Sequence, residues 1–598
     1  MDVESSQWYE FGPFHLDPAR RSLLREGKPA SLTAKAFDTL LVLIENRDRV
    51  VDKDELLKSV WPDTFVGEAT LAQNVYKIRK ALGQDPDGHP YIVTIPKRGY
   101  RFVGRVSRLE DQPANVEGEQ PAKATLNASD EETASESQVK SLAVMPLENL
   151  SDDPAAEYLS DGITENTINK LSQLHDLRVA ARSTVFRYKG QDFDPREVGR
   201  DLSVNYVMVG RVSLMEDQLI VKAELIDVPS GWQLWGDKQY VHKFSDIFEF
   251  EEEIATHISE KLRLTLTKKE QEQIRMRYTE NSTAYLLYLE GRHHLNKRTE
   301  GGLKKAIELF KQAIKNDPDY TLALVSLADA YISFDFRGLL PPKETMPEAK
   351  AAASKAIEID PDLPQPHTSL GCVKLIYDRD WEGAEKEFKR AIELDPQYAR
   401  AHNWYSQYLM AKGQIEESFN ESRIALNLEP FDLSTNLHLG WHYLHARNYD
   451  AAIEQLKKLI ELEPNFFLAH LLLGMAYEQQ GNFSAALDEF KEASLLEDSP
   501  VSLGFLGYTY AALGDKTKAM EILDDLRERS KHSYVPAYSM ALIHTRLGEQ
   551  DEAFEHLDKA SMERNQWLSW LNVAPEFDTL RLDPRFETLV RRANLDQQ

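Results

Sequence analysis

One cysteine, Cys372, stands in a chain of 598 residues, so no disulfide can form within it. That scarcity suits a reducing compartment. Long apolar runs are missing as well. No stretch of about 18 apolar residues occurs, so the sequence offers no helix to span a bilayer. The first residues, MDVESSQWYE, have neither a basic region nor an apolar run and do not read as a signal peptide. The expected localisation is cytoplasmic. Catalytic signatures are absent too: no phosphate-binding Gly-x-x-x-x-Gly-Lys-Ser/Thr, no Gly-x-Gly-x-x-Gly, no Gly-x-Ser-x-Gly and no His-Glu-x-x-His. The reading is therefore of a protein that is not an enzyme and needs no cofactor.

Basic residues are scarce overall and unevenly placed. The formal charge is −27, yet residues 1–106 hold 16 basic against 15 acidic residues, so the excess acid lies beyond them. Between Tyr76 and Val106 stand Lys77, Arg79, Lys80, Lys97, Arg98, Arg101 and Arg105, opposed by Asp85 and Asp87 alone. A basic island in an acidic chain points to a polyanionic partner for one end, which the acidic body would repel.

A chain this long exceeds one core. Composition divides it at residues 107–138, which contain no aromatic and no Ile and are rich in Glu, Ser, Ala and Pro. Such a segment buries too little to offset its ordering entropy and reads as a flexible linker. Residues 139–270 read as an α/β domain. SLAVMPLENL, LRVAAR and YVMVGRVSLM are strand-like, and QLIVKAELIDVPSGWQLWGDKQY is a hairpin turning at PSG. Leu159, Ile163, Thr167, Ile168 and Leu171 share one side of a helix, and a further helix spans about 247–264. Trp232 and Trp235 are expected to pack beside the hairpin.

From 271 to 598 the period changes. Asp-Pro or Glu-Pro closes the segments ending at Pro318, Pro361, Pro396, Pro430 and Pro464, the last four at 34–35-residue intervals. An extra stretch before Pro361 falls in FDFRGLLPP. Gly474, Tyr477, Gly481, Ala486, Phe490 and Ala493 supply alternating small and large positions. A 34-residue period of paired helices ending in proline is the signature of tetratricopeptide repeats (TPR), about eight here. They should stack into an all-α superhelical solenoid with a concave face for a protein or peptide ligand, or for a second copy of the chain. His438, His442 and His445 have metal-ligand spacing, but they lie in a repeat helix whose Gly440 and Tyr443 are pattern positions, so no metal is expected.

Residues 7–106 begin with short β-like runs. A helix follows with Phe37, Leu40, Leu41, Leu43 and Ile44 as its apolar face, then DKDELLKSVW, then a third helix at about 69–82 and a hairpin, YIVTIPKRGYRFVGRV. In the third helix Leu71, Val75, Ile78 and Leu82 form one buried stripe. The opposite face carries Gln73, Tyr76, Lys77 and Lys80, with Asn74 and Arg79 on its flanks. Such a face suits the major groove, where Lys and Arg reach guanine edges and Gln or Asn pairs with adenine. Lys97, Arg98 and Arg101 on the hairpin would meet phosphates. The order of elements, with Arg79-Lys80-Ala81-Leu82 and Gly99-Tyr100-Arg101-Phe102, resembles the OmpR/PhoB-type winged-helix domain over about 100 residues. The resemblance implies an N-terminal four-stranded sheet, three helices and a wing entering the minor groove. It further implies a loop, Trp61–Ala69, that can contact RNA polymerase. Pro96-Lys97-Arg98 departs from the usual wing sequence. Tyr100 and Phe102 are expected in the core.

Placed at the N-terminus, the module looks like that of CadC/ToxR-like regulators, with a polar linker where those have a membrane anchor. The middle segment resembles TolB amino-terminal-like domains. Its Ser160-Asp161-Gly162 reads as part of a helix rather than a ligand loop. The whole is thus expected to be a multidomain α+β protein: winged helix-turn-helix, α/β domain, TPR solenoid. Two functions fit. One is a sequence-specific, one-component transcription regulator binding double-stranded DNA, whose TPR region and α/β domain sense a cytosolic partner. The other is a TPR scaffold with a vestigial head.

Overall fold

The computed structural model of the chain describes residues 8–17, 22–25, 28–29, 34–47, 49–60, 71, 75, 78–79, 82, 91–95, 99–103, 106–109, 140–151, 154–215, 218–243 and 247–595. They fall into two compact units, 1–134 and 135–598.

In the first unit the apolar residues of short strands meet those of the helices. Trp8–Phe11, Phe14–Asp17, Ser22–Arg25 and Lys28–Pro29 form an antiparallel meander, and a fifth strand, Ser107–Leu109, pairs with Trp8–Phe11 on the free side. The implied sheet of four is thus a sheet of five. The module also runs past residue 106, so the first residues assigned to the linker belong to it. Backbone pairing of Tyr9 with Arg108 holds this strand, and three residues are too few to show a side-chain alternation in sequence. Residues 110–138 lie outside the described residues. Helix Ala34–Glu45 buries Phe37, Leu40, Leu43 and Ile44 against Phe11 and Phe14. Helix Lys53–Val60 adds Leu56 and Val60 to the buried set.

The second unit opens with a sheet ordered Leu177–Val179, Lys140–Val144, Tyr206–Met215, Gln218–Asp227, Gln233–Lys243, with Glu148–Asn149 alongside Tyr206–Met215. The first three strands are parallel and the long hairpin antiparallel. Helix Pro154–Ser172 crosses between Lys140–Val144 and Leu177–Val179 and buries Leu159, Ile163, Thr167, Ile168 and Leu171. Trp235 packs on Tyr240 and His257, but Trp232 is 75 % exposed, against expectation. It sits just past the hairpin turn, beyond the last paired rung, where no neighbour covers it.

Eight helix pairs follow, from Ser282–Asn296 with Glu300–Asn316 to Ala537–Leu547 with Gln550–Met562. Their packing explains the small and large positions. A Cβ on Gly474 would stand 2.6 Å from the Phe490 ring, and one on Gly371 equally close to Phe388. Glycine therefore lets the two helices of a pair close around an aromatic.

The α/β part and the first repeat share one interface. Gly162 lies inside helix Pro154–Ser172, and a Cβ there would be 2.7 Å from Leu289 of the first repeat helix. Asp161, beside it, pairs with Lys189 and, at 3.0 Å, with His293. The Ser160-Asp161-Gly162 segment is a helix contact. Nearby, buried Glu251 accepts from Tyr285 and Asn166. Burial holds its carboxyl up at about 7. The division drawn at 270/271 falls inside helix Lys268–Arg275.

The repeats do not form an open spiral. The loop after the second repeat's first helix, containing Phe336, Arg337 and Gly338, reaches across to the end of the sixth repeat. Arg337 and Glu497 pair at 2.9 Å with side chains 3 % and 6 % exposed, and Ser499 Oγ donates to the Arg337 carbonyl at 2.7 Å. Gly338 (φ +66°) presses on Val501 and Pro536, where a Cβ would stand 3.0 and 2.7 Å away. One superhelical turn is thereby closed. The closing C-terminal segment enters the lumen: Trp570 Nε1 donates to the Gln407 carbonyl at 3.2 Å, and Tyr538 donates to Glu576 at 2.6 Å. Phe336 packs within 6.2–6.3 Å of Trp404, Trp441, Trp567 and Trp570.

Removing one partner of a buried pair strands the other charge, so Glu497→Ala should destabilise the repeat body by about 3–5 kcal/mol. Urea unfolding followed by tryptophan fluorescence reads this, and Arg337→Met with Glu497→Leu should recover most of the loss. The Glu251 carboxyl provides a second check. Its folded value is raised, so its contribution is complete below the ordinary carboxylate range and is lost as pH rises to about 7. The unfolding free energy of Glu251→Gln, read by urea unfolding, should therefore climb relative to the native chain between about pH 5 and pH 7, with a limiting slope of about 1.4 kcal/mol per pH unit.

Candidate nucleic-acid interface

The stripe that defines the third helix is where the sequence puts it. Leu71, Val75, Ile78 and Leu82 are helical and at most 1 % exposed, within the core of the first unit. Of the residues assigned to DNA, Gln73, Asn74, Tyr76, Lys77, Lys80, Lys97 and Arg98 lie outside the described residues. Arg79 is half-buried and its Nε donates to the Ile92 carbonyl at 3.1 Å. It thus ties the helix to the first wing strand, a role the sequence reading did not give it. Arg101 is exposed on the second wing strand.

The wing is anchored by its aromatic residues. Ile92–Ile95 pairs with Gly99–Phe102, which pairs in turn with Val51–Asp52. Tyr100 and Phe102 are 7 % and 2 % exposed, and Phe102 meets Phe11 edge-on at 5.2 Å. Gly99 has a steric reason: a Cβ would fall 2.0 Å from the Val51 carbonyl oxygen. Lys35 Nζ donates to the Val60 carbonyl at 2.7 Å, fixing the first helix to the C-terminal end of the second. The Arg79 bond joins the third helix to the wing, and the wing in turn is paired with Val51–Asp52.

In the body, the three spaced histidines have separate neighbours. His438 Nδ1 lies 3.1 Å from Asn403 Oδ1, His442 Nδ1 lies 2.9 Å from Ser422 Oγ, and the His445 ring meets Trp441. Burial pushes His438 and His445 down to about 3 and His442 well below the usual imidazole value, so all three are neutral. No group of three or more metal-ligating side chains assembles among the described residues. The concave face is only partly open: the C-terminal segment fills much of it, leaving a cavity of about 400 Å³.

A family model described as "Transcriptional regulatory protein, C terminal" matches residues 27–102. The N-terminal module is an OmpR/PhoB-type regulatory domain. Tetratricopeptide-repeat models match residues 375–422, 437–502 and 506–533. The chain is 27 % identical over 439 residues to the transcriptional regulator HilA of Salmonella typhi, covering 72 % of each protein. It is 30 % identical over 93 residues to the transcriptional activator CadC of Escherichia coli, 15 % of this chain and 18 % of CadC. A putative adenylate cyclase of Rhizobium meliloti is 33 % identical over 234 residues, 38 % of this chain and 39 % of that protein. The OmpR/PhoB-type domain with TPR repeats thus sits in a chain homologous to transcriptional regulators. Among the described residues no helix is long and apolar enough to cross a membrane.

The close approach at Gly99 gives a test that leaves every cation in place. Gly99→Ala should force the wing off strand Val51–Asp52, lower the Tm of the isolated 1–134 unit and weaken its binding to duplex DNA at least about tenfold, a loss on the scale of overpacking a tight contact.

Proposed function

We propose that the protein is a sequence-specific, one-component transcription regulator. Its OmpR/PhoB-type domain binds double-stranded DNA, and its repeats with the α/β part bind a cytosolic partner. The observation that carries this reading is the burial of Leu71, Val75, Ile78 and Leu82 in a module matching a transcriptional-regulator family, because it supports the helical spacing from which Gln73, Asn74, Tyr76, Lys77 and Lys80 are assigned to DNA. In this role the third helix enters the major groove, and Lys97, Arg98 and Arg101 neutralise flanking phosphates. Arg79 sets the angle between helix and wing through Ile92. The likeness to HilA, a transcriptional regulator, over most of both chains supports regulation rather than catalysis. We read the protein as cytoplasmic and non-enzymatic. The middle part is read as TolB amino-terminal-like, the 61–69 loop as the contact for RNA polymerase, and the repeats as the element that pairs two copies.

Genome-wide mapping of bound sites supplies the duplex for a salt series with the full chain. Log affinity should fall linearly with log salt, Lys97→Ala and Arg98→Ala should each reduce the slope by about one, and the double variant Lys77→Ala, Lys80→Ala should weaken binding to the mapped sites. Affinity that is flat in salt, or unchanged in the double variant, overturns the assignment.

A further inference from the structure

The lumen cavity is bounded by three parts of the fold: Arg182 and Ser183 of the α/β part, the first six repeats, and Trp567 of the C-terminal segment. Its volume, about 400 Å³, is that of a small-molecule site. Five arginines line it, which is unusual for a chain of such acidity. Four are committed. Arg182 (3.0 Å) and Arg292 share Glu165, Arg400 is paired with Asp329, and Arg337 with Glu497. The fifth, Arg298, has no such close carboxylate. Its Nη1 donates to Ser434 Oγ at 2.7 Å, and its Nη2 stands 3.6 Å from Asp432.

Backbone conformation sets Arg298 apart as well. It occupies the left-handed turn between the two helices of its repeat (φ +53°), where five other repeats have Gly338, Gly413, Gly481, Gly514 and Gly548. A side chain is costly in that conformation and calls for a compensating role. At the two other arginines in this position the role is visible. Arg379 Nη1 donates to the Ala593 carbonyl at 2.9 Å, and Arg447 Nη2 to Asp578 at 2.9 Å, both gripping the C-terminal segment. Arg298 faces the cavity instead.

Aromatic residues line it as well: Phe336, Trp404, Trp441 and Trp567. Trp441 and Trp567 are each 4 % exposed, and their indole N–H groups have no hydrogen-bond partner. The electrostatics agree. Burial pushes the Arg298 guanidinium below its ordinary value; Asp432 opposes this and Arg337, Arg400 and Arg182 add to it, while burial and Asp432 hold the lining Glu429 up at about 7.

We infer that this cavity binds a small organic anion, an acidic head group on Arg298 with an aromatic or apolar body against the tryptophan wall. Such a ligand bridges the α/β part and the repeats, and so identifies the cytosolic partner of the proposed sensor as a metabolite-sized acid. The inference rests on that reading for its biological meaning only; binding is measurable without DNA.

The probe is anilinonaphthalene sulfonate, with N-phenylnaphthylamine as its uncharged counterpart, titrated into the full chain by calorimetry and tryptophan quenching. Expected is one saturable sulfonate site per chain, with the uncharged compound at least about tenfold weaker. Arg298→Gln should weaken the sulfonate by a similar factor while Arg298→Lys retains most of the affinity. Absence of a saturable site, equal affinity for the two compounds, or an unaffected Arg298→Gln overturns the inference. Should Arg298→Gln fail to fold, the comparison of the two probes on the native chain still decides. DNA affinity reports separately on the winged helix, so neither failure imitates the other.

Discussion

The body of this protein depends on the Arg337–Glu497 pair. Taking both charges out of water costs more than a simple ion pair returns, unless further hydrogen bonds complete the geometry. Here they do: Arg337 also donates to the carbonyls of Ser333 and Arg298, at 2.7 and 2.6 Å. The pair joins positions 160 residues apart, and what it joins is a superhelix to itself. Burial of Phe336 among four tryptophans follows from the same loop, so one short insertion supplies both the clasp and the centre of the lumen.

Repeat solenoids are ordinarily quasi-one-dimensional, each repeat meeting only its neighbours. The clasp and the C-terminal segment change that. Arg379, Trp381, Gln407 and Arg447, from the third to fifth repeats, all hold residues between Trp570 and Asn594. A residue near the end of the chain therefore bears on the middle repeats, and unfolding of one part is coupled to the rest. The buried contacts around Glu251 extend the same coupling to the α/β part.

What the sequence made legible was what depends on local pattern. The proline period and the small-large alternation gave eight repeats, and eight helix pairs are present. The stripe Leu71, Val75, Ile78 and Leu82 and the wing aromatics are buried as read. FDFRGLLPP was legible as an insertion but not as a clasp, because its partner, Glu497, lies four repeats away and carries no local mark. The bond from Arg79, read on the flank of the DNA-facing side, to Ile92 was not legible because helical spacing alone could not reveal a carbonyl on the neighbouring hairpin. Ser107–Leu109 was missed because a three-residue strand is defined by its partner. One signal was available and went unused: aligning the repeats at their inter-helix turn sets Arg298, Arg379 and Arg447 in a column of glycines.

The fifth strand of the N-terminal sheet has a topological consequence. Because Leu109 pairs with Trp8, the first and last described strands of the module lie side by side. Ser107–Leu109 is the outermost strand of the sheet, held by backbone pairing on one side and reached only a few residues after the buried Phe102. Its pairing therefore closes the module on itself directly behind the wing.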